Sequence, residues 1–325
     1  MDTFKAMVCE KTGKIDNLVL KAIARQELPE GYARIRVLAS GVNFPDKLMV
    51  EGKYQFSPPL PFIPGMEIAG EIVQVKKNAR FQIGSRVISS VRFGGYSQET
   101  IAPIHSLISI PENFSPEEAA GFRITSQTAL VALIETAAVE KNETVMVIGA
   151  AGGVGSAAIK LGKAIGVNVI AVSSSKSKQN FCKRIGADHS LGYDDLKSNI
   201  MEITNGKGVD TIFDPVGGEN FRNILSCVRW GGKYLVVGFA SGSIPVLPIN
   251  IALIKGISLI GIRAGEYFRK FPEREKQAIS KLLKMAKSNL ITPVIYKTLP
   301  LSDAVEALRL LEDRLAMGRI ILKPN

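Results

Sequence analysis

The chain has 325 residues, 46% of them hydrophobic and 22% charged, which is enough for two domains with substantial cores. It holds no run of about 18 apolar residues, so a membrane-spanning helix is excluded. Lys and Arg number 41 against 30 Asp and Glu, but they are spread from Lys5 to Lys323 without a like-charge block, which argues against a nucleic-acid tail. A solvated basic surface accounts for the net charge of +11. Cys9, Cys182 and Cys227 are far apart and show no metal or redox spacing. The opening MDTFKAMVCEKTG lacks a secretory apolar core. A reducing, cytoplasmic setting is expected.

In chain order, residues 1–122 read as short strands at 34–39, 67–75 and 86–90, separated by turns rich in Gly and Pro (Pro58, Pro59, Pro61, Pro64, Gly65). This pattern predicts an irregular, mostly antiparallel β domain. From Thr144 to Ile262 the pattern changes. Strands at 144–149, 167–173, about 188–192, 209–214, 233–238 and 257–262 alternate with helices starting near Val154, Lys176, Leu196, Gly218 and Pro248. Such alternation calls for a parallel sheet covered on both faces, the doubly wound nucleotide-binding fold. The tail predicts a helix over 272–288, a strand over 294–300, a Ser302-capped helix to about 315 and a last strand over 319–322. The expected fold is therefore α/β. A doubly wound domain, 124–262, is inserted into a β domain made of 1–123 and 263–325, with a cleft between them.

The stretch Thr144–Gly166 carries the most chemistry. Val145, Val147 and Ile148 read as a buried strand. Val154, Ala157, Ala158, Leu161 and Ile165 recur at helical spacing behind it. Between them lies A-x-G-G-x-G, with Ala150 at the first glycine of the dinucleotide pattern and Gly152, Gly153 and Gly155 following. Glycines there let a diphosphate approach the backbone, and the helix N-terminus offers N–H groups and positive dipole charge. An NAD site places a carboxylate about 20 residues further on, to hold the ribose 2′-hydroxyl. Here the second strand ends in Ser173, Ser174, Ser175, Lys176, Ser177 and Lys178, with no acid. Hydroxyls and ammonium groups favour a 2′-phosphate, hence NADP(H). The same serines also suit a helix N-cap.

With SGVNFPDKLMVEGKY, PFIPGMEIAGEI, GAAGGVG, GADH, DPVGG and VVGFASG in this order, nearly the whole chain resembles the medium-chain dehydrogenase/reductase superfamily. Within it the chain is most similar to the zinc-independent quinone oxidoreductase family. The resemblance implies a Rossmann domain within a GroES-like catalytic domain, a homodimer, and hydride transfer from NADPH. The acceptor it implies is a quinone or, alternatively, the conjugated alkene of an enone or enoyl thioester. A non-enzymatic alternative is an NADPH-binding protein that also binds RNA, as some relatives do. Zinc alcohol dehydrogenases of the superfamily bind metal through a Cys and a His-Glu pair; the matching places hold Asn43 and Met66–Glu67. No metal is expected, because Asn and Met are poor zinc ligands.

By the same resemblance Asn43, Asp46 and Tyr54 are the candidate catalytic residues. Asn43 and Asp46 line a floor near the nicotinamide, and Tyr54 orients substrate, donates a proton, or anchors its loop. Thr128 lies near the nicotinamide, and Gly238, Phe239 and Ala240 border its ribose. The diphosphate falls to Ala150, Gly152, Gly153, Val154 and Gly155, and the 2′-phosphate end to Ser174, Ser175, Lys178 and Tyr193. Arg314 matches an arginine that reaches the cofactor. Asp214 and Gly217 of DPVGG are expected to shape a turn.

Overall fold

The computed structural model describes residues 2–76 and 80–324. They form two compact units, one running to Ile124 and resuming at Pro293, the other spanning Thr125–Thr292.

The first unit opens with a hairpin, β1 (Thr3–Cys9) antiparallel to β2 (Leu18–Ala24). Its spine is β3 (Tyr32–Val42), followed by helix α1 (Phe44–Val50). Next come β4 (Glu67–Val75), β5 (Arg86–Ser90), β6 (Glu99–Pro103), β7 (Ile108–Ser109) and the short helix α2 (Pro116–Ala120). Helix α3 (Arg123–Leu130) leads out of the unit and continues as a π-helical turn, Val131–Thr136.

The second unit repeats strand and helix: β8 (Thr144–Ile148), α4 (Gly153–Ile165), β9 (Asn168–Val172), α5 (Lys176–Arg184) and β10 (His189–Leu191). Then follow α6 (Leu196–Ile203), β11 (Val209–Asp214), α7 (Phe221–Ser226), β12 (Val228–Val236), α8 (Ile249–Lys255) and β13 (Ser258–Gly261). Helices α9 (Ala264–Lys270) and α10 (Pro272–Lys287) complete it. Among the described residues the parallel sheet runs β10-β9-β8-β11-β12-β13. This is the doubly wound order, with its reversal between β8 and β11. Its central strands β8 and β9 are largely apolar, as a covered sheet requires: Met146, Ile148, Ile170, Val172, Ile212 and Tyr234 pack with Leu196, Ile200, Phe221 and Ile224.

The chain returns to the first unit with β14 (Ile295–Pro300), α11 (Ala304–Glu312) and β15 (Arg319–Lys323). The final strand pairs antiparallel with the end of β3, Ile321 opposite Gly41, so the order is β14-β15-β3-β4-β5-β7, with β6 against the start of β3. That register carries Arg319 alongside Asn43, 276 residues away in sequence.

Several elements differ from the sequence reading. Helix α9 was not expected. The return to the first unit comes at Pro293, beyond the sequence boundary at 263. Side-chain bonds explain this: Tyr267 donates to Glu135 at 2.9 Å and Gln127 to Glu275 at 3.2 Å, tying α9 and α10 to the second unit. Strand β12 begins at Val228, ahead of the expected 233. Ser302 does not cap α11. It lies in a 3₁₀ turn, and its hydroxyl donates to Asp303 at 2.9 Å. That helix stops at Glu312 because the chain turns at Arg314, where φ is +55°.

Candidate active site

In the first unit, GVNFPD forms the step from β3 to α1. Asn43 takes the N-cap, and Pro45 sits in the first turn, where its missing N–H costs nothing. Asp46 Oδ2 accepts the Asn43 N–H at 2.8 Å, the reciprocal arm of a capping box, and the Tyr96 hydroxyl at 2.9 Å. Arg319, the first residue of β15, joins the pieces. Its Nη1 donates to Asn43 Oδ1 at 3.0 Å and to the Val42 carbonyl at 3.2 Å, and its Nη2 to Glu67 Oε2 at 2.8 Å. Glu67 Oε1 accepts the Ile124 N–H at 2.9 Å. All five side chains are buried. Gly41 makes room for them, since a Cβ there would lie 2.3 Å from the Ala120 carbonyl and 2.7 Å from Arg319 Nη2.

Two buried carboxyl groups thus share one guanidinium. Burial raises the Asp46 pKa to about 7, against the opposing pull of the Asn43 N–H, the Tyr96 hydroxyl and Arg319; the neighbouring Glu67 raises it further. Burial also pushes Glu67 up, countered chiefly by Arg319. Burial and then the Asp46 charge push the Tyr96 phenol well up, so the shared proton stays on Tyr96. Asp46 Oδ1 has no hydrogen-bond partner among the described residues, consistent with a carboxyl that holds its proton up to neutral pH. Two of the three positions matched to zinc ligands, Asn43 and Glu67, are thus bound to Arg319. Among the described residues no group of three or more His, Cys, Asp or Glu gathers in the manner of a metal site.

Tyr54 follows α1 and is half-buried, packing with Phe56, Ile63 and Met66 against a cluster that includes Met49, Val50, Phe62 and Tyr96. Asp46 requires a correction. It has no exposed surface and bonds only Asn43 and Tyr96 among the described residues, so it presents no atom to a ligand.

In the second unit the turn after β8 is built on Gly149, whose φ of +59° is the left-handed conformation a tight turn needs. This explains why Ala150 is tolerated at the pattern's first glycine. Ala150 is fully buried and its N–H donates to the Val172 carbonyl at 3.1 Å, so it shapes the turn and presents no surface to a ligand. Gly155 serves packing, because a Cβ would lie 2.6 Å from the Gly149 carbonyl. Gly152 is different. A Cβ there meets only the Gly149 oxygen at an ordinary 3.4 Å, and its φ of −73° suits any residue. The protein itself does not need glycine at 152; the space above it is what a diphosphate would fill. Helix α4 starts at Gly153, and its first intrahelical bond runs from the Ser156 N–H to Gly152, leaving the N–H groups of Gly153, Val154 and Gly155 without an intrahelical acceptor. The residues fit a dinucleotide, and they lie at the switch point of the sheet.

Several other candidates of the second unit follow strands of the same sheet. Ser174 is exposed after β9, while Ser175 caps α5 by accepting the Lys178 N–H at 3.3 Å. Tyr193 follows β10, the neighbour of β9, and is half-buried. After β12, Gly238 and Phe239 border an apolar hollow shared with Val236 and Leu247, and the Ala240 N–H donates to Pro215. Asp214 accepts the N–H groups of Val216 at 2.7 Å and Gly217 at 3.0 Å and the Tyr234 hydroxyl, so it shapes the DPVGG turn. Thr128 is half-buried on α3, and Arg314 is exposed after α11.

Residues 29–112 match the model of the alcohol dehydrogenase GroES-like domain, and residues 153–284 that of the zinc-binding dehydrogenases. A quinone oxidoreductase-like protein 2 homolog from Nematostella vectensis is 33% identical over 326 residues, covering 98% of this chain and 89% of the relative. The chain belongs to the quinone oxidoreductase family of medium-chain dehydrogenases/reductases. A 2-haloacrylate reductase from a Burkholderia species is 28% identical over 98% of this oxidoreductase and 99% of the relative. A mycobacterial structure complexed with NADPH superposes on the oxidoreductase with a TM-score of 0.91, at 28% identity over 99% and 100% of the two chains. A nicotinamide cofactor follows from the family.

The reading from sequence missed Arg319 and Tyr96. Arg319 carried a signal, since an arginine opening the apolar strand RIILK is buried only if it is paired. Tyr96 carried none. The cradle makes a clean prediction. Gly152→Ala should keep the thermal midpoint of the free protein within about 2 °C, while weakening NADPH binding at least tenfold by isothermal titration calorimetry. Unchanged NADPH affinity would remove Gly152 from the site.

Proposed function

We propose that this oxidoreductase uses NADPH to reduce an electron-poor conjugated acceptor, a quinone in the first reading. The observation that carries the cofactor choice is the acid-free end of β9, with Ser174 exposed and Lys178 on the first turn of α5. A 2′-phosphate meets cationic and hydroxyl donors there, whereas an NAD site needs a carboxylate. The NADPH complex of the mycobacterial neighbour supports the same choice. The second reading, reduction of a conjugated alkene, is supported by the Burkholderia relative, whose name gives 2-haloacrylate as its acceptor. Three buried free cysteines suit a cytoplasmic protein.

When bound, the nicotinamide supplies hydride to the acceptor. The remaining work falls to the chain. The α4 N-terminus and Gly152 hold the diphosphate, and Ser174, Lys178 and Tyr193 hold the adenosine end. Gly238, Phe239 and Ala240 would line the place of the nicotinamide ribose, and Thr128 would lie beside the ring. Arg319 locks the Asn43 side chain through its Oδ1, and Asp46 fixes the Asn43 backbone, so that Asn43 and Tyr54 orient the acceptor. Water or Tyr54 returns the proton that completes alkene reduction.

Purified protein should oxidise NADPH with 9,10-phenanthrenequinone or a small enone. Lys178→Ala should raise the NADPH KM roughly tenfold or more, the loss of a charge-assisted contact, with a much smaller effect on NADH. Equal effects on the two cofactors would contradict the assignment.

We also propose a homodimer. Strand β13 is a sheet edge, and the surface around it exposes Trp230, Val246, Ile249, Leu253 and Leu259. Leu253 is 83% exposed, which invites cover by a second copy. Light scattering should give twice the chain mass of 35.1 kDa; a monomer at micromolar concentration contradicts the proposal.

A further inference from the structure

One cation of the first unit stands apart from the Arg319 network. Arg92 follows β5 and is exposed, with its guanidinium carbon 3.9 Å from the centroid of the Phe56 ring. Phe56 and Phe93 stack at 6.2 Å with an interplanar angle of 26°. No carboxylate among the described residues pairs with Arg92.

The position of Arg92 is fixed, not incidental. Its loop is bonded to the segment ahead of β4: Val91 N–H to Met66 at 2.9 Å, Gly94 N–H to Ile63 at 2.7 Å and Tyr96 N–H to Pro64 at 2.9 Å. Met66 adjoins Glu67 of the buried network, and Tyr96 reaches Asp46. Phe56, under the guanidinium, is two residues from Tyr54, and both pack on the same apolar cluster. Arg92, Phe56 and Phe93 therefore belong to the same part of the first unit as Asn43 and Tyr54.

We infer that Arg92 is a specificity-determining residue that binds a carboxylate carried by the conjugated acceptor. A guanidinium close over an aromatic ring is dehydrated on that side, and its planar N–H donors form a fork that matches a carboxylate. Stacking on Phe56 restricts the side chain, so less freedom is lost when the anion binds. The Phe56 and Phe93 rings supply an apolar surface for the planar carbons beside the carboxylate. A neutral quinone would use only that surface. The inference rests on the proposed reading of Asn43 and Tyr54 as acceptor-binding.

The test compares 2-chloroacrylate with 2-chloroacrylamide, its neutral isostere, in NADPH-coupled steady-state kinetics, with 9,10-phenanthrenequinone and crotonyl-CoA as further acceptors. The wild-type protein should favour the carboxylate over the amide in kcat/KM. Arg92→Gln should lower that ratio at least tenfold, mainly through KM, and Arg92→Lys should restore part of it. A wild-type ratio near one, or a ratio unmoved by Arg92→Gln, overturns the inference while quinone turnover leaves the wider reading standing. Use of crotonyl-CoA with indifference to the free carboxylate overturns it too. If no acceptor is reduced, the wider reading fails, and saturation-transfer NMR of propionate against propionamide decides for Arg92. Propionate-selective saturation that is lost in Arg92→Gln supports the anion site, and equal signals overturn it.

Discussion

One buried guanidinium organises the polar core of the first unit. Arg319 enters on the final strand, pairs with Glu67, holds the Asn43 side chain and caps the end of β3 through the Val42 carbonyl. A buried cation is costly unless it is paired, and a buried carboxylate unless it finds a cation or keeps its proton. Glu67 takes the first course. Asp46, without a cation of its own, takes the second and stays protonated up to about pH 7. Gly41 follows from the same constraint, since any side chain there would displace the guanidinium.

The second unit solves a different problem. A diphosphate needs bare backbone at a helix N-terminus, and two glycines near that turn have separate tasks. Gly149 supplies the left-handed turn and Gly155 the close helix-to-strand approach, both demanded by the protein's own packing. Gly152 is demanded by nothing within the protein, and the proposed diphosphate site rests on the space it leaves. β9 ends in serines with no acid, and the proposed preference for NADPH rests on that absence.

The doubly wound sheet was legible because its strands are short apolar runs at regular spacing, each followed by helical periodicity. The cofactor turn was legible for the same reason, being local in sequence. The first unit was harder. The β1–β2 hairpin, helix α9 and the late return at Pro293 depend on pairings that no local pattern announces. The site shows the contrast most clearly. Asn43 and Asp46 belong to a contiguous motif and were found, yet the role of Asp46 could be judged only from its burial. Arg319 and Tyr96 come from distant segments that meet the motif through sheet register and loop bonding. Arg92 likewise gains meaning only from the ring beneath it.

The most direct test of this account is a double-mutant cycle on the buried pair, followed by urea denaturation. Arg319→Met alone should destabilise the protein by about 3–5 kcal/mol, because it strands the Glu67 charge. Adding Glu67→Gln, which keeps an oxygen for the Ile124 N–H, should recover a large part of that loss. Additive effects, or a mild Arg319→Met variant, would contradict the view that this one cation organises the first unit.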